Sequence, residues 1–142
     1  MAADVIQCCV MERRHFTLDE ATELVPWLES RFQQTDRNAE TLERRQSRVD
    51  ELLRRRRGNG HGSIGQELSR AEDALKEVQE EIGAVLQEII ERGVLVRDIK
   101  SGLVDFPAVI DGTEVFLCWI RGEEAIRYWH GTNEGFTSRK PL

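Results

Sequence analysis

The stretch LVDFPAVIDGTEVFLCWI, residues 103–120, decides the fold. Asp111-Gly112 is the favoured pair for a two-residue type I′ turn, because both central positions need positive φ. Two strands therefore pair antiparallel around it, with Ile110 facing Thr113 and, counting outward, Asp105 facing Cys118. The period of two then sorts the faces. Val104, Phe106, Ala108 and Ile110 share a side with Val115, Leu117 and Trp119, a wholly apolar face that must be covered. The other side carries Leu103, Asp105, Pro107, Val109, Phe116, Cys118 and Ile120, a mixed surface with an ionisable pair inside it.

Outward from this hairpin, residues 94–99 and 125–130 are rich in β-branched and aromatic side chains and are separated by short Gly-containing turns. An antiparallel meander of three to four strands over 94–130 follows, with 131–142 as a tail. Upstream the period changes. Thr17-Leu18-Asp19-Glu20 fits a capping box and starts a helix. Val25, Leu28, Phe32, Thr35, Ala39, Leu42, Val49 and Leu53 form its buried stripe, with a polar gap at Gln46. The glycines of Gly58-Asn59-Gly60-His61-Gly62 break the helix, and the chain turns back. Ile64, Leu68, Ala71, Leu75, Val78, Ile82, Val85 and Ile89 then repeat by four and three, a coiled-coil-like seam. Helix one, 18–57, is about 60 Å long at 1.5 Å per residue and helix two, 63–92, about 45 Å. An antiparallel pair leaves 18–27 overhanging, with Pro26 where helix two stops. A kink at Pro26 lets Leu18, Ala21 and Leu24 lean onto the apolar sheet face.

The reading is thus α+β: a long antiparallel two-helix hairpin at 17–92 and a β-meander, one domain over 16–142 behind a disordered leader at 1–15. Met11 is an alternative start to Met1. The 142 residues are 39% hydrophobic and 32% charged, enough for a core, with no apolar run long enough to span a membrane. The first ten residues lack the basic start and apolar centre of a secretory signal, which points to the cytoplasm. Cys8, Cys9 and Cys118 give neither a CxxC pair nor a disulfide framework, so reduced thiols are expected. A net charge of -6 argues against nucleic acid as a partner. The run Arg54-Arg55-Arg56-Arg57 is accounted for by the helix dipole it complements. No GxGxxG, P-loop, HExxH or GxSxG string occurs, and His61 reads as solvated.

Asp105, Cys118 and His130 are the candidate metal ligands, since thiolate, imidazole and carboxylate all ligate a divalent ion such as zinc. His130 joins the other two when the turn at Arg121-Gly122-Glu123 has the right parity: a three-residue loop puts Cys118 and His130 on one face, a two- or four-residue loop on opposite faces. The plainer readings are a buried Cys118, an Asp105 paired with an arginine such as Arg127, and a His130 bonded to tail backbone. Glu20 is explained by its capping box, yet its helix end reaches the sheet and can bring a carboxylate. Trp119 and Trp129 are core, each burying about 150–250 Å², or else a stacking surface for a flat ligand.

From Phe16 onward the chain resembles a small bacterial family of domains of unknown function. The matching strings are Phe16-Thr17-Leu18, Gly102-Leu103-Val104-Asp105-Phe106-Pro107-Ala108, Leu117-Cys118-Trp119, Gly122-Glu123, Trp129-His130 and Gly135-Phe136. The chain departs from the pattern in its leader and in Thr137-Ser138 before Arg139. The resemblance implies a shared unit and no reaction. It concentrates on polar and aromatic residues of the meander, which adds weight to a ligand surface there that includes Arg139. The leading functional expectation is a binding or assembly module, a homodimer through the helical hairpin with Leu24, Leu86 and Ile90 at the interface. The rival is a metal-binding protein or metal-dependent enzyme with its site on the meander.

Overall fold

The computed structural model describes residues 14–59 and 63–142. Cys8, Cys9, His61 and residues 1–13 of the expected leader lie outside them. Helix α1 is Leu18–Asn59 and helix α2 is Ile64–Glu91. One five-stranded antiparallel sheet follows in sequential order: β1 Leu95–Asp98, β2 Leu103–Ile110, β3 Thr113–Ile120, β4 Tyr128–Gly131 and β5 Lys140–Pro141. No helix among the described residues is long and apolar enough to cross a membrane. The chain divides into two compact units, one of residues up to Phe32 with Glu88–Leu142, the other Gln33–Gln87.

In the helical unit, Val49, Leu52 and Leu68 form the buried cluster, with Leu53, Ala71 and Leu75 packed against it. Arg45 Nη1 donates to the Ala74 carbonyl at 2.6 Å, and Arg48 approaches Glu67 at 3.7 Å, pairings that run antiparallel. All eight α2 seam positions are buried or half-buried. The stripe of α1 departs from the expected one. Asn38 is buried where Ala39 was expected and accepts from Gln34 Nε2, while Ala39 is exposed. Leu52 is fully buried and Leu53 only partly. A period of 3.6 drifts against alternating steps of three and four, so over a helix this long the stripe precesses by a residue.

In the other unit the capping box forms as expected. The Glu20 amide donates to Thr17 Oγ1 at 3.1 Å, and Glu20 Oε1 accepts from the Thr17 amide at 2.9 Å. Ala21, Val25, Leu28 and Phe32 are buried beyond it, and Leu18, expected to lean on the sheet, is 44% exposed. Phe16 does that work instead, edge-on to Phe106 at 5.2 Å, while Phe32 stacks on Trp119 at 6.5 Å. The Arg92 guanidinium, one residue past α2, lies 4.1 Å over the Trp27 ring, which fixes where the overhang begins. The helix is continuous through Pro26.

The Asp111-Gly112 turn takes positive φ at both residues, 51° and 78°, and the register follows, Ile110 on Thr113 and Asp105 on Cys118. Gly102 has φ 70° and sits so close to Arg121 that a Cβ would lie 2.7 Å from the arginine's own Cβ. Pro107 is tolerated inside β2 because β1 pairs only as far as Asp105. Its missing N–H costs no ladder bond there. The Pro107 carbonyl accepts from the Phe16 amide at 2.7 Å.

The meander has five strands, not three to four. The fourth is Tyr128–Gly131 rather than 125–130, because Glu123 draws the preceding segment into a loop by accepting from the Ile120 amide and from Arg139. The fifth comes from the expected tail. Lys140 and Pro141 pair with Trp129 and Tyr128, too short a strand to leave a periodic signal.

Candidate metal centre

Four consecutive strands bring polar side chains together on the face away from α1: Arg97 from β1, Asp105 from β2, Cys118 from β3 and His130 from β4. The parity that sequence leaves open is settled by the β3–β4 register. Tyr128 pairs with Cys118 and His130 with Phe116, so residues 121–127 form an odd-numbered connection and His130 shares the Cys118 face. On β1, Val96 pairs with Val104 but Asp98 with Leu103, which leaves Arg97 as the extra residue of a bulge. Leu95 faces Asp105, so alternation along β1 keeps Arg97 on the Asp105 face, and its guanidinium reaches the carboxylate.

Asp105, Cys118 and His130 are 2%, 0% and 1% exposed. One ligand atom from each lies within 4.8 Å of the others. His130 Nε2 is 3.0 Å from Asp105 Oδ1, and Arg97 Nε donates to Asp105 Oδ2 at 2.8 Å. His130 Nδ1 is 2.9 Å from the Gly131 carbonyl, an oxygen that can only accept, so Nδ1 carries a hydrogen. A neutral imidazole then has only a lone pair to offer at Nε2, facing a carboxylate oxygen that also accepts. The gap between Nε2 and Oδ1 therefore needs a proton or a cation.

Burial first, and the Asp105 carboxylate second, push the Cys118 thiol up to about 12. Without a metal it is a thiol, and neither imidazole nitrogen is turned to it as a base. That disfavours a cysteine nucleophile and suits a buried thiol, which a bound cation would have to deprotonate in order to be ligated. Zinc bonds of about 2.0–2.3 Å put tetrahedral neighbours about 3.3–3.8 Å apart, so the widest pair of donors would draw in by up to about 1 Å while Nε2 and Oδ1, 3.0 Å apart, would open slightly. The three open onto a pocket of about 420 Å³, also lined by Arg97, Leu103, Thr132, Asn133, Glu134, Gly135 and Phe136. The tail thus walls the site.

Glu20 stands apart. Its carboxylate is engaged with the Thr17 amide and Arg14, and the Thr17 amide holds its pKa below the usual carboxylate value. Trp119 is fully buried in the apolar face, its Nε1 donating to the Glu123 carbonyl, while Trp129 is half-buried under Lys140. Arg139 reaches the rim of the polar face. It makes a bidentate pair with Glu123 at 2.6 and 2.8 Å and stacks on Tyr128 and Phe136. The arginine paired with Asp105 is Arg97, not Arg127. Sequence reasoning missed it because the pairing of β1 with β2 lies outside the hairpin whose register could be counted. Its one signal was a lone cation between Val96 and Asp98.

With this geometry in view, residues 14–142 match the family described as "Uncharacterized conserved protein (DUF2203)", and the chain belongs to that family. No curated protein and no solved structure matches the chain.

Proposed function

We propose that this member of an uncharacterised family binds one divalent metal ion through Asp105, Cys118 and His130, with a fourth position open to the pocket. The single observation that carries the reading is the imidazole held between two acceptors. Its Nδ1–H is spent on the Gly131 carbonyl and its Nε2 lone pair is aimed beside Asp105 and Cys118. A metal-ligating histidine commonly donates its other N–H to a backbone carbonyl in this way. One nitrogen, one sulfur and one oxygen donor in so small a space favour zinc. Arg97 on the far oxygen of Asp105 orients that ligand from behind. An open fourth position is what zinc-assisted hydrolysis requires, because a bound water there ionises near pH 7.

Elemental analysis of protein dialysed into metal-free buffer tests this. Wild type is expected to retain one zinc per chain, and His130→Ala and Cys118→Ser to lose it. Metal-free wild type that takes up none from micromolar zinc would retire the reading.

A second reading, self-association through the helical hairpin, is favoured by Ile90, 52% exposed beside the buried seam of α2. Light scattering across micromolar dilution is expected to report a dimer that Ile90→Lys dissociates. A persistent wild-type monomer would end it.

A further inference from the structure

We infer that the pocket over Asp105, Cys118 and His130 takes a small oxyanion, the carboxylate or phosphate group of a small molecule, held between the metal's open position and the Arg97 guanidinium. The inference rests on the metal reading above. Charge supports it first. A divalent ion is neutralised by the Asp105 carboxylate and a Cys118 thiolate, which leaves the Arg97 charge uncompensated. The other carboxylate lining the pocket, Glu134, accepts from the Gly131 amide at 3.0 Å and pairs with Lys140 at 3.1 Å. Arg139 is likewise matched by Glu123. With the metal in place, the pocket floor therefore carries one net positive charge, and a ligand that brings a negative group completes it.

Geometry supports it second. Arg97 spends the Nε of its planar fork on Asp105, and its side chain, 44% exposed, lines the pocket. Its position over the Phe116 ring, 5.1 Å from the centroid, limits how that fork can turn. A guanidinium matches carboxylate and phosphate oxygens in a way a lysine does not. The volume of about 420 Å³ fits a small molecule rather than a polymer. Leu103 and Phe136 offer it apolar wall, and Thr132 and Asn133 offer hydrogen bonds.

Cobalt-substituted protein provides the test, because its visible absorption bands report both loading and entry of a new ligand. Titration with inorganic phosphate, and separately with acetate, is expected to shift the bands saturably in at least one arm, and the arms tell the two oxyanions apart. Arg97→Gln is expected to weaken that response by ~10-fold or more, with Arg97→Lys between it and wild type. Cobalt that loads into wild type but ignores both anions would overturn the inference and leave the metal site standing. So would an Arg97→Gln protein that loads and responds like wild type. If Arg97→Gln does not fold, a wild-type response unchanged by Arg97→Lys counts against the inference. Failure of wild type to load cobalt at all would remove the metal reading and this one with it.

Discussion

Away from its turn, the β2–β3 hairpin has two buried faces, and they are buried by different means. One carries Val104, Phe106, Leu117 and Trp119, each at most 3% exposed, and is closed by Phe16 and Phe32. The other carries Asp105 and Cys118, and its polar atoms are met by Arg97 and His130. An apolar face depends on volume and tolerates swaps that conserve it. A buried ionic face depends on every partner being present, so losing one is costly even when its shape is kept. Such a face adds little stability for its expense, which is why it reads as a site.

The largest effects test that contrast directly. Asp105→Ala leaves the buried His130 Nε2 without its partner and is expected to cost about 3 kcal/mol in denaturant unfolding. Trp119→Ala is expected to cost a similar 3–5 kcal/mol through cavity formation. The near-isosteric changes should separate the faces: Leu117→Met is expected to cost under about 1.5 kcal/mol, and Asp105→Asn clearly more. Equal costs would erase the distinction.

Next in size is metal addition. Zinc at a hundred times its dissociation constant is expected to stabilise wild type by about 2.7 kcal/mol. It should leave His130→Ala unmoved, as thermal melts with and without zinc would reveal. Thr17→Ala, at the start of the helix that covers the apolar face, is expected to cost about 1 kcal/mol. The reciprocal bond, from the Thr17 amide to Glu20, has a pH signature. The folded pKa of Glu20 is depressed by the Thr17 amide, so its share of the cap is present above the ordinary carboxylate pKa and lost as pH falls through the folded value. Urea titrations of wild type and Glu20→Gln should therefore converge in acid. The smallest effect is Lys140→Ala at an exposed pair with Glu134, expected within about 0–1 kcal/mol.

Much of this was legible in residues whose consequences are local. Asp111-Gly112 dictates its own turn, and a turn of known length fixes register for as far as the strands run regularly, which is how Asp105 and Cys118 could be paired. Thr17 and Glu20 lie within one helical turn and needed nothing else. The β5 strand left no trace, because two residues carry no period. Leu18 was misjudged because a capping box defines where a helix begins and says nothing of which way its first apolar residue turns.

The sequence by itself determined the hairpin, the two faces and the pairing of a carboxylate with a thiol, since those follow from backbone geometry over a few residues. Only the tertiary structure decided that the site has four members. His130 depends on the parity of a seven-residue connection held by Glu123, and Arg97 on the register in which β1 pairs with β2. Both are choices made by contacts between distant segments. A one-residue slip in either would turn the side chain to the opposite face.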